Sequence, residues 1–186
     1  MNTPVAEWGC VHGRFQPFHN GHLEYAIRAK ERCERLVVGI TNPDPTWIRA
    51  ESENQHRHLP RSNPFTYLER ADMIRHALLD AGLSPREFLF APFPIQSPEL
   101  IAHYAPQGAI HFVRVYSEWE RKKVDRLRSR GLSLEILDPG VEKEVSGEEV
   151  RRLVREGGPW ERLVPDATAR LVRQILTDYP DRLAKS

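Results

Sequence analysis

Apolar residues along the chain alternate between short continuous runs and longer stretches with helical spacing. Trp8 to His12 reads as a first strand that Gly13 interrupts, and Leu36 to Ile40 is an unbroken apolar run of the kind buried on both faces of a sheet. Between them, Gly21 to about Glu34 reads as a helix with Leu23, Ala26, Ile27 and Ala29 available for its inner face. Thr66 to Ala81 carries the clearest helical signal, with Thr66 placed to cap it, Glu69 three residues on and Gly82 to stop it. Further strands are predicted at 87–90, 109–113 and 133–137. Helices are predicted at 118–130, 147–155 and 165–176. Repeated strand–helix–strand order predicts an α/β, Rossmann-like open parallel sheet with helices on both faces. Neither repeats nor linkers interrupt it, so a single domain over 1–186 is expected.

Composition narrows the class without naming a chemistry. Of 186 residues, 40% are hydrophobic and 28% charged, a globular balance. Lys and Arg total 27 against 26 Asp and Glu, so net charge favours neither nucleic acid nor a membrane surface as partner. No apolar run approaches the ~20 residues of a membrane span, and the first residues lack a signal peptide's pattern. A soluble, cytoplasmic protein is the resulting expectation, with room for assembly into a homo-oligomer. Cys10 and Cys33 are read as small buried thiols rather than a disulfide framework or a metal site.

The stretch from Thr41 to Pro64 is long, polar and without periodicity, and it carries Trp47, Arg49, His56, Arg57, His58 and Arg61. It reads either as a solvated surface loop or as a substrate-binding loop that closes on a negatively charged ligand. The basic segment Arg121 to Arg130 likewise reads as a solvated helix face or as a triphosphate contact.

Chemistry concentrates in Gly13-Arg14-Phe15-Gln16-Pro17-Phe18-His19-Asn20-Gly21-His22, where the first strand gives way to the first helix. In an open parallel sheet ligands bind at the carboxyl ends of strands, and a helix N-terminus favours phosphate. His19 and His22, three residues apart, can face one side of the first helical turn, and Gly21 keeps the approach open. A metal site is disfavoured, because no third ligand stands at a recognisable spacing. Later, Ser146 followed by Glu149 forms a capping-box pattern, with Gly147 in the first turn and Arg151 one turn on. Taken alone, that pattern also fits a capped surface helix.

These residues resemble the nucleotidyltransferases with a His-x-Gly-His signature, and the form Gly-Arg-Phe-Gln-Pro-Phe-His-x-Gly-His looks most like the archaeal-type nicotinamide mononucleotide adenylyltransferases. Asn63 to Arg70 is similar to a helix-opening segment of those enzymes. Ser146-Gly147-Glu148-Glu149-Val150-Arg151 is similar to their Ser-Gly-Thr-Glu-Ile-Arg, and Trp160 to Pro165 to their closing pattern. The resemblance implies an enzyme in which a substrate phosphate attacks the α-phosphorus of a nucleoside triphosphate and expels pyrophosphate. It assigns His19, His22, Arg14 and Arg151 to catalysis. Gly13, Phe15, Gly21, Tyr116, Ser146, Gly147 and Glu148 join them in binding the nucleotide. Mg²⁺ is expected as cofactor, held mainly by triphosphate and water. Trp47, Arg57 and Tyr104 are candidates for the phosphate- or phosphonate-bearing small molecule.

Three departures from the family pattern bear on specificity. Glu148 replaces a threonine, so its carboxylate must face solvent, pair with an arginine or help hold a metal ion. The family's Tyr-Ser-Gly-Asn, in a region that contacts the base, reads here Tyr116-Ser117-Glu118-Trp119, and Leu100 stands where those enzymes carry an aromatic residue. His103, Tyr104 or Trp47 are candidates for the missing stacking surface. Adenylyl transfer from ATP to nicotinamide mononucleotide is the first reading. Cytidylyl transfer from CTP to a phosphorylated or phosphonylated small molecule is the alternative, and a nucleotide-binding protein without turnover the third.

Overall fold

A computed structural model describes residues 6–48, 59–116, 118–137 and 145–183. The described residues gather into two compact units. Those within Met1–Gly13, Glu24–Thr41 and Leu83–Glu144 make the first, and those within Arg14–Leu23, Asn42–Gly82 and Val145–Ser186 the second. Among the described residues no helix is long and apolar enough to cross a membrane.

The first unit is built on five parallel strands: β1 (Ala6–Gly13), β2 (Cys33–Ile40), β3 (Phe88–Pro92), β4 (Ile110–Val113) and β5 (Leu134–Ile136). Their order is β3-β2-β1-β4-β5, so successive connections run outward in one direction from β1 and then return to its other side. Such a reversal is the switch point at which doubly wound sheets open a crevice. The register sets Val11 beside Val38 and Cys10 beside both Val37 and His111. Cys10, Val37, Ala91, Phe93, Ile101, Ala105 and Leu127 form a buried cluster on this sheet. Gly39 makes room for it, because a Cβ there would stand 2.6 Å from Cδ2 of Phe93. Both thiols are buried, as their isolation in the sequence implied, and burial pushes the Cys33 thiol up to about 11.

Helix α1 (Asn20–Lys30) buries Tyr25, Ala26 and Ala29, while Leu23 and Ile27 stay half-buried. The expected inner face therefore turns toward Tyr25. Its ring is apolar while its hydroxyl donates to the Phe112 carbonyl, a partner that apolar spacing cannot reveal. Helix α3 (Glu118–Arg128) stops before Gly131, whose φ is +79°. A six-residue 3₁₀ segment, Pro98–His103, is one the periodicity did not predict.

The second unit holds α2 (Tyr67–Asp80), α4 (Gly147–Glu156) and α5 (Asp166–Asp178), with α2 packed on α5. The capping box of α2 forms as its sequence specifies. Thr66 Oγ1 accepts from the Glu69 N–H at 3.2 Å, and the Thr66 N–H donates to Glu69 Oε2 at 2.7 Å. Arg182 bridges Glu69 Oε2 at 3.2 Å and also donates to the Pro64 carbonyl. Within the long polar stretch, Pro45–Trp47 and Pro60–Ser62 form short 3₁₀ turns, while 49–58 lies outside the described residues.

His111, on β4, is 2% exposed, and its Nδ1 has no hydrogen-bond partner among the described residues. Burial without compensation disfavours the cation and pushes its pKa down to about 4. Between about pH 6.5 and 4 the unfolded chain therefore binds a proton at this position that the folded chain refuses. Stability from this residue, about 3 kcal/mol in full, should be present above pH 6.5 and drain away as the pH falls toward 4. Urea midpoints measured from pH 7 to 4.5 should show that slope, and His111→Leu should flatten it.

Candidate functional site

Beyond β1 the chain turns through Arg14 to Phe18 without regular structure, so its main-chain polar groups need partners from elsewhere. Two arginines supply them for the carbonyls of Arg14 and Gln16, and the Gln16 side chain ties the loop to Phe65. Arg70, 1% exposed on α2, donates Nη1 to the Arg14 carbonyl at 2.8 Å. Its Nη2 reaches the Asn42 carbonyl at 2.7 Å and its Nε the Thr66 carbonyl at 3.1 Å. The Gln16 amide pairs with Phe65 in both directions at 2.9 Å, its nitrogen donating to the Phe65 carbonyl and its oxygen accepting the Phe65 N–H. Arg151, buried on α4, donates Nη1 to the Gln16 carbonyl at 2.5 Å. Burial pushes both guanidiniums down, each to about 10, so both remain cations at neutral pH.

Gly147 has a second reason to be glycine. A Cβ there would lie 2.8 Å from the Gln16 carbonyl oxygen, so the first turn of α4 can approach the loop only without a side chain. Ser146 Oγ accepts the Glu149 N–H at 3.1 Å, which realises one half of the anticipated capping box. Glu148 is exposed, the first of the options open to that carboxylate, and its charge acts to hold Arg151 protonated.

The loop delivers two imidazoles to the start of α1. The rings of His19 and His22 stack with centroids 3.5 Å apart and planes inclined by 21°. His22 is also flanked by Phe15, edge-on at 4.9 Å, and by Phe18 at 5.7 Å. The His19 N–H donates to His22 Nδ1 at 3.3 Å, so in neutral His22 the ring proton belongs on Nε2, which becomes a donor. A Cβ at Gly21 would stand 3.4 Å from Cε1 and Nδ1 of His19, an ordinary contact distance, so the His19 ring packs directly over the helix start. The first N–H groups of α1 and its positive dipole end add an anion-seeking field. Arg14, half-buried, donates Nη1 to the Ser62 carbonyl at 3.5 Å.

Of the anticipated nucleotide residues, Arg14, Phe15, His19, Gly21, His22, Ser146, Gly147, Glu148 and Arg151 share the second unit. Gly13 and Tyr116 belong to the first, where Tyr116 is 37% exposed and its hydroxyl accepts from Arg114 Nη1 at 3.3 Å. Of the anticipated substrate residues, Trp47 is half-buried at the end of a 3₁₀ turn in the second unit. Tyr104, in the first, packs against the sheet's core cluster. Arg57 lies outside the described residues, as do Arg49, His56, His58 and Ser117. Sequence reasoning gave no role to Arg70, Gln16 or Phe65. The available signal was an arginine in line with the apolar stripe of α2, since Arg70, Ile74, Ala77 and Leu78 fall on one buried face.

The family described as Cytidylyltransferase-like matches residues 10–153. Phosphonoformate cytidylyltransferase of Streptomyces viridochromogenes is 49% identical over 174 residues, covering 94% of this chain and 95% of the relative. Nicotinamide-nucleotide adenylyltransferase of Thermococcus kodakarensis is 31% identical over 169 residues, covering 90% and 82% respectively. Among solved structures, a bifunctional NMN adenylyltransferase/ADP ribose pyrophosphatase from Francisella tularensis matches 96% of the chain with a TM-score of 0.71. At 17% identity that likeness establishes the α/β, Rossmann-like fold, and the chain spans about half of that longer protein, 52% of its length.

Gly147→Ala should force the Gln16 carbonyl or α4 to shift, at a cost of about 1–3 kcal/mol. Thermal unfolding should register the loss, and triphosphate affinity should fall with it. An alanine variant with unchanged melting temperature and affinity would contradict the close approach.

Proposed function

The chain belongs to the cytidylyltransferase-like family of nucleotidyltransferases, and within it we propose that this protein transfers a cytidylyl group from CTP to a small phosphonate-bearing acid of the phosphonoformate type. The observation that carries this reading is the 49% identity to a phosphonoformate cytidylyltransferase along nearly the full length of both chains. Adenylyl transfer to nicotinamide mononucleotide, ranked first from the motifs, rests on relatives near 31% identity and becomes the second reading. The motifs alone ranked them in the other order because the Gly13–His22 form looks most like the archaeal-type nicotinamide mononucleotide adenylyltransferases.

In this reading a phosphonate oxygen attacks the α-phosphorus of CTP. The bond from that phosphorus to the bridging oxygen breaks, and pyrophosphate leaves with the electron pair. An attacking group that is already an anion needs no protein nucleophile, so the protein's part is alignment and charge neutralisation. His22, as an Nε2 donor, and His19 take triphosphate oxygens as negative charge moves toward the leaving group. Arg14 presents a planar fork to paired phosphate oxygens. Arg151, bonded to Gln16, contributes positive potential and holds the loop in shape. The donors gathered here are imidazoles, guanidiniums and main-chain N–H groups, a set suited to phosphate oxygens. These groups would not ligate Mg²⁺ themselves; on this reading the ion would enter with the triphosphate and supply charge neutralisation. The exposure of Glu148 supports turnover over a binding-only protein, because its carboxylate is not buried against the phosphates. A cytoplasmic setting, where CTP is available, accompanies the proposal.

Pyrophosphate release with each of ATP, CTP, GTP and UTP, against phosphonoformate and against nicotinamide mononucleotide, tests the assignment. CTP with phosphonoformate should be the productive pair; release from ATP with nicotinamide mononucleotide and none from CTP would overturn it. In the productive reaction His22→Ala should lower kcat by about 10²-fold or more, with a smaller rise in KM for the triphosphate. A raised KM with kcat unchanged would show that His22 binds ground state and transition state equally and contradict that role.

A further inference from the structure

The described chain holds two non-glycine residues with positive φ, Phe15 at +54° and Asn42 at +50°. Residues in this region persist when their surroundings over-determine them, and they concentrate at functional sites. One side chain fastens both. Arg70 Nη1 holds the carbonyl of Arg14, which forms the peptide plane leading into Phe15, and Nη2 holds the carbonyl of Asn42 itself. In a trans peptide the carbonyl and the following N–H point in opposite directions. Fixing the Arg14 carbonyl against Arg70 therefore turns the Phe15 N–H away from α2. That N–H makes no hydrogen bond among the described residues. The Phe15 ring stands edge-on to His22, so this N–H belongs to the same short stretch as the paired imidazoles. Main-chain N–H groups at left-handed turns form anion-binding nests.

We propose that Arg70 is a positioning residue for the polyphosphate: by drawing back the Arg14 carbonyl it presents the Phe15 N–H as a donor to a phosphate oxygen. The proposal rests on the nucleotidyltransferase reading of this loop and gives a role to Arg70, the last residue of the Asn63–Arg70 segment, to which the sequence analysis assigned none. Arg70 touches no substrate. Its part is to hold one peptide plane, and its fork geometry is what lets a single side chain reach three carbonyls. Lysine keeps the charge but is a single point of donation on a shorter reach, so it cannot span them.

The test uses inorganic tripolyphosphate as the probe and the full-length chain carrying ¹⁵N-phenylalanine. On titration of the wild type, the Phe15 amide signal should shift and saturate together with binding measured by calorimetry. Arg70→Lys should weaken tripolyphosphate binding by about tenfold, the scale of one charge-assisted hydrogen bond, and should abolish the Phe15 response. Val172→Ala, a cavity on α5 remote from the loop in sequence, should lower the melting temperature while leaving tripolyphosphate affinity unchanged. A folded Arg70→Lys variant with wild-type affinity would remove the positioning role and leave the polyphosphate site standing. Should that variant fail to fold, the wild-type Phe15 amide decides: a saturating shift supports the proposal, and a signal unmoved at saturation overturns it. A wild type that binds no tripolyphosphate would bring down the proposal and the functional reading together.

Discussion

Two buried arginines hold the main-chain carbonyls of one short loop, and the chemistry proposed for this protein depends on that restraint. A polyphosphate site made from backbone and imidazoles functions only if its donors already point the right way when the ligand arrives, because reorientation would consume the binding free energy. An irregular segment such as Arg14–Phe18 has no ladder or helix to fix its peptide planes. Arg70 and Arg151 fix two of them, and the Gln16 amide locks the loop side chain to Phe65. Each guanidinium gives up solvation to do this, and its depressed pKa reports that cost. Both stay charged at neutral pH, so the restraint also places positive potential beside an expected polyanion.

The same economy is why the proposed reaction calls for no protein nucleophile and no carboxylate cage. Group transfer from a triphosphate to an anion is limited by bringing two negative species together in line. In the proposed reaction the stacked imidazoles, the α1 N-terminus and the arginines all act on that difficulty. In this loop close approach requires glycine at Gly147, which lets α4 meet the Gln16 carbonyl.

Local devices were readable from the sequence, and long-range ones were not. The start of α2 was legible because Thr66 and Glu69 satisfy each other within one turn, and its end because Gly82 takes a φ of +94°. Strands β1 and β2 stood out as apolar runs beside turn residues, and the parallel order followed from the alternation of elements. The restraints on the loop join residues 56, 49 and 135 positions apart, and no local pattern reports such a pairing. The 3₁₀ segment Pro98–His103 escaped because its short i to i+3 turns leave no helical stripe. Tyr25 was missed on α1 because its polar tip conceals a buried ring. The signature motifs pointed to phosphate chemistry and left both adenylyl and cytidylyl transfer open. Whole-chain likeness, rather than the signature, is what favours CTP.

The most direct test of a pre-set loop is a crystal structure of the protein with a non-hydrolysable CTP analogue and Mg²⁺. Phosphates should lie beside His19 and His22 and the first turn of α4, with Arg14–Phe18 unmoved and the bonds from Arg70 and Arg151 intact. A triphosphate bound elsewhere, or a loop rebuilt around it with those two arginines released, would contradict the pre-set loop.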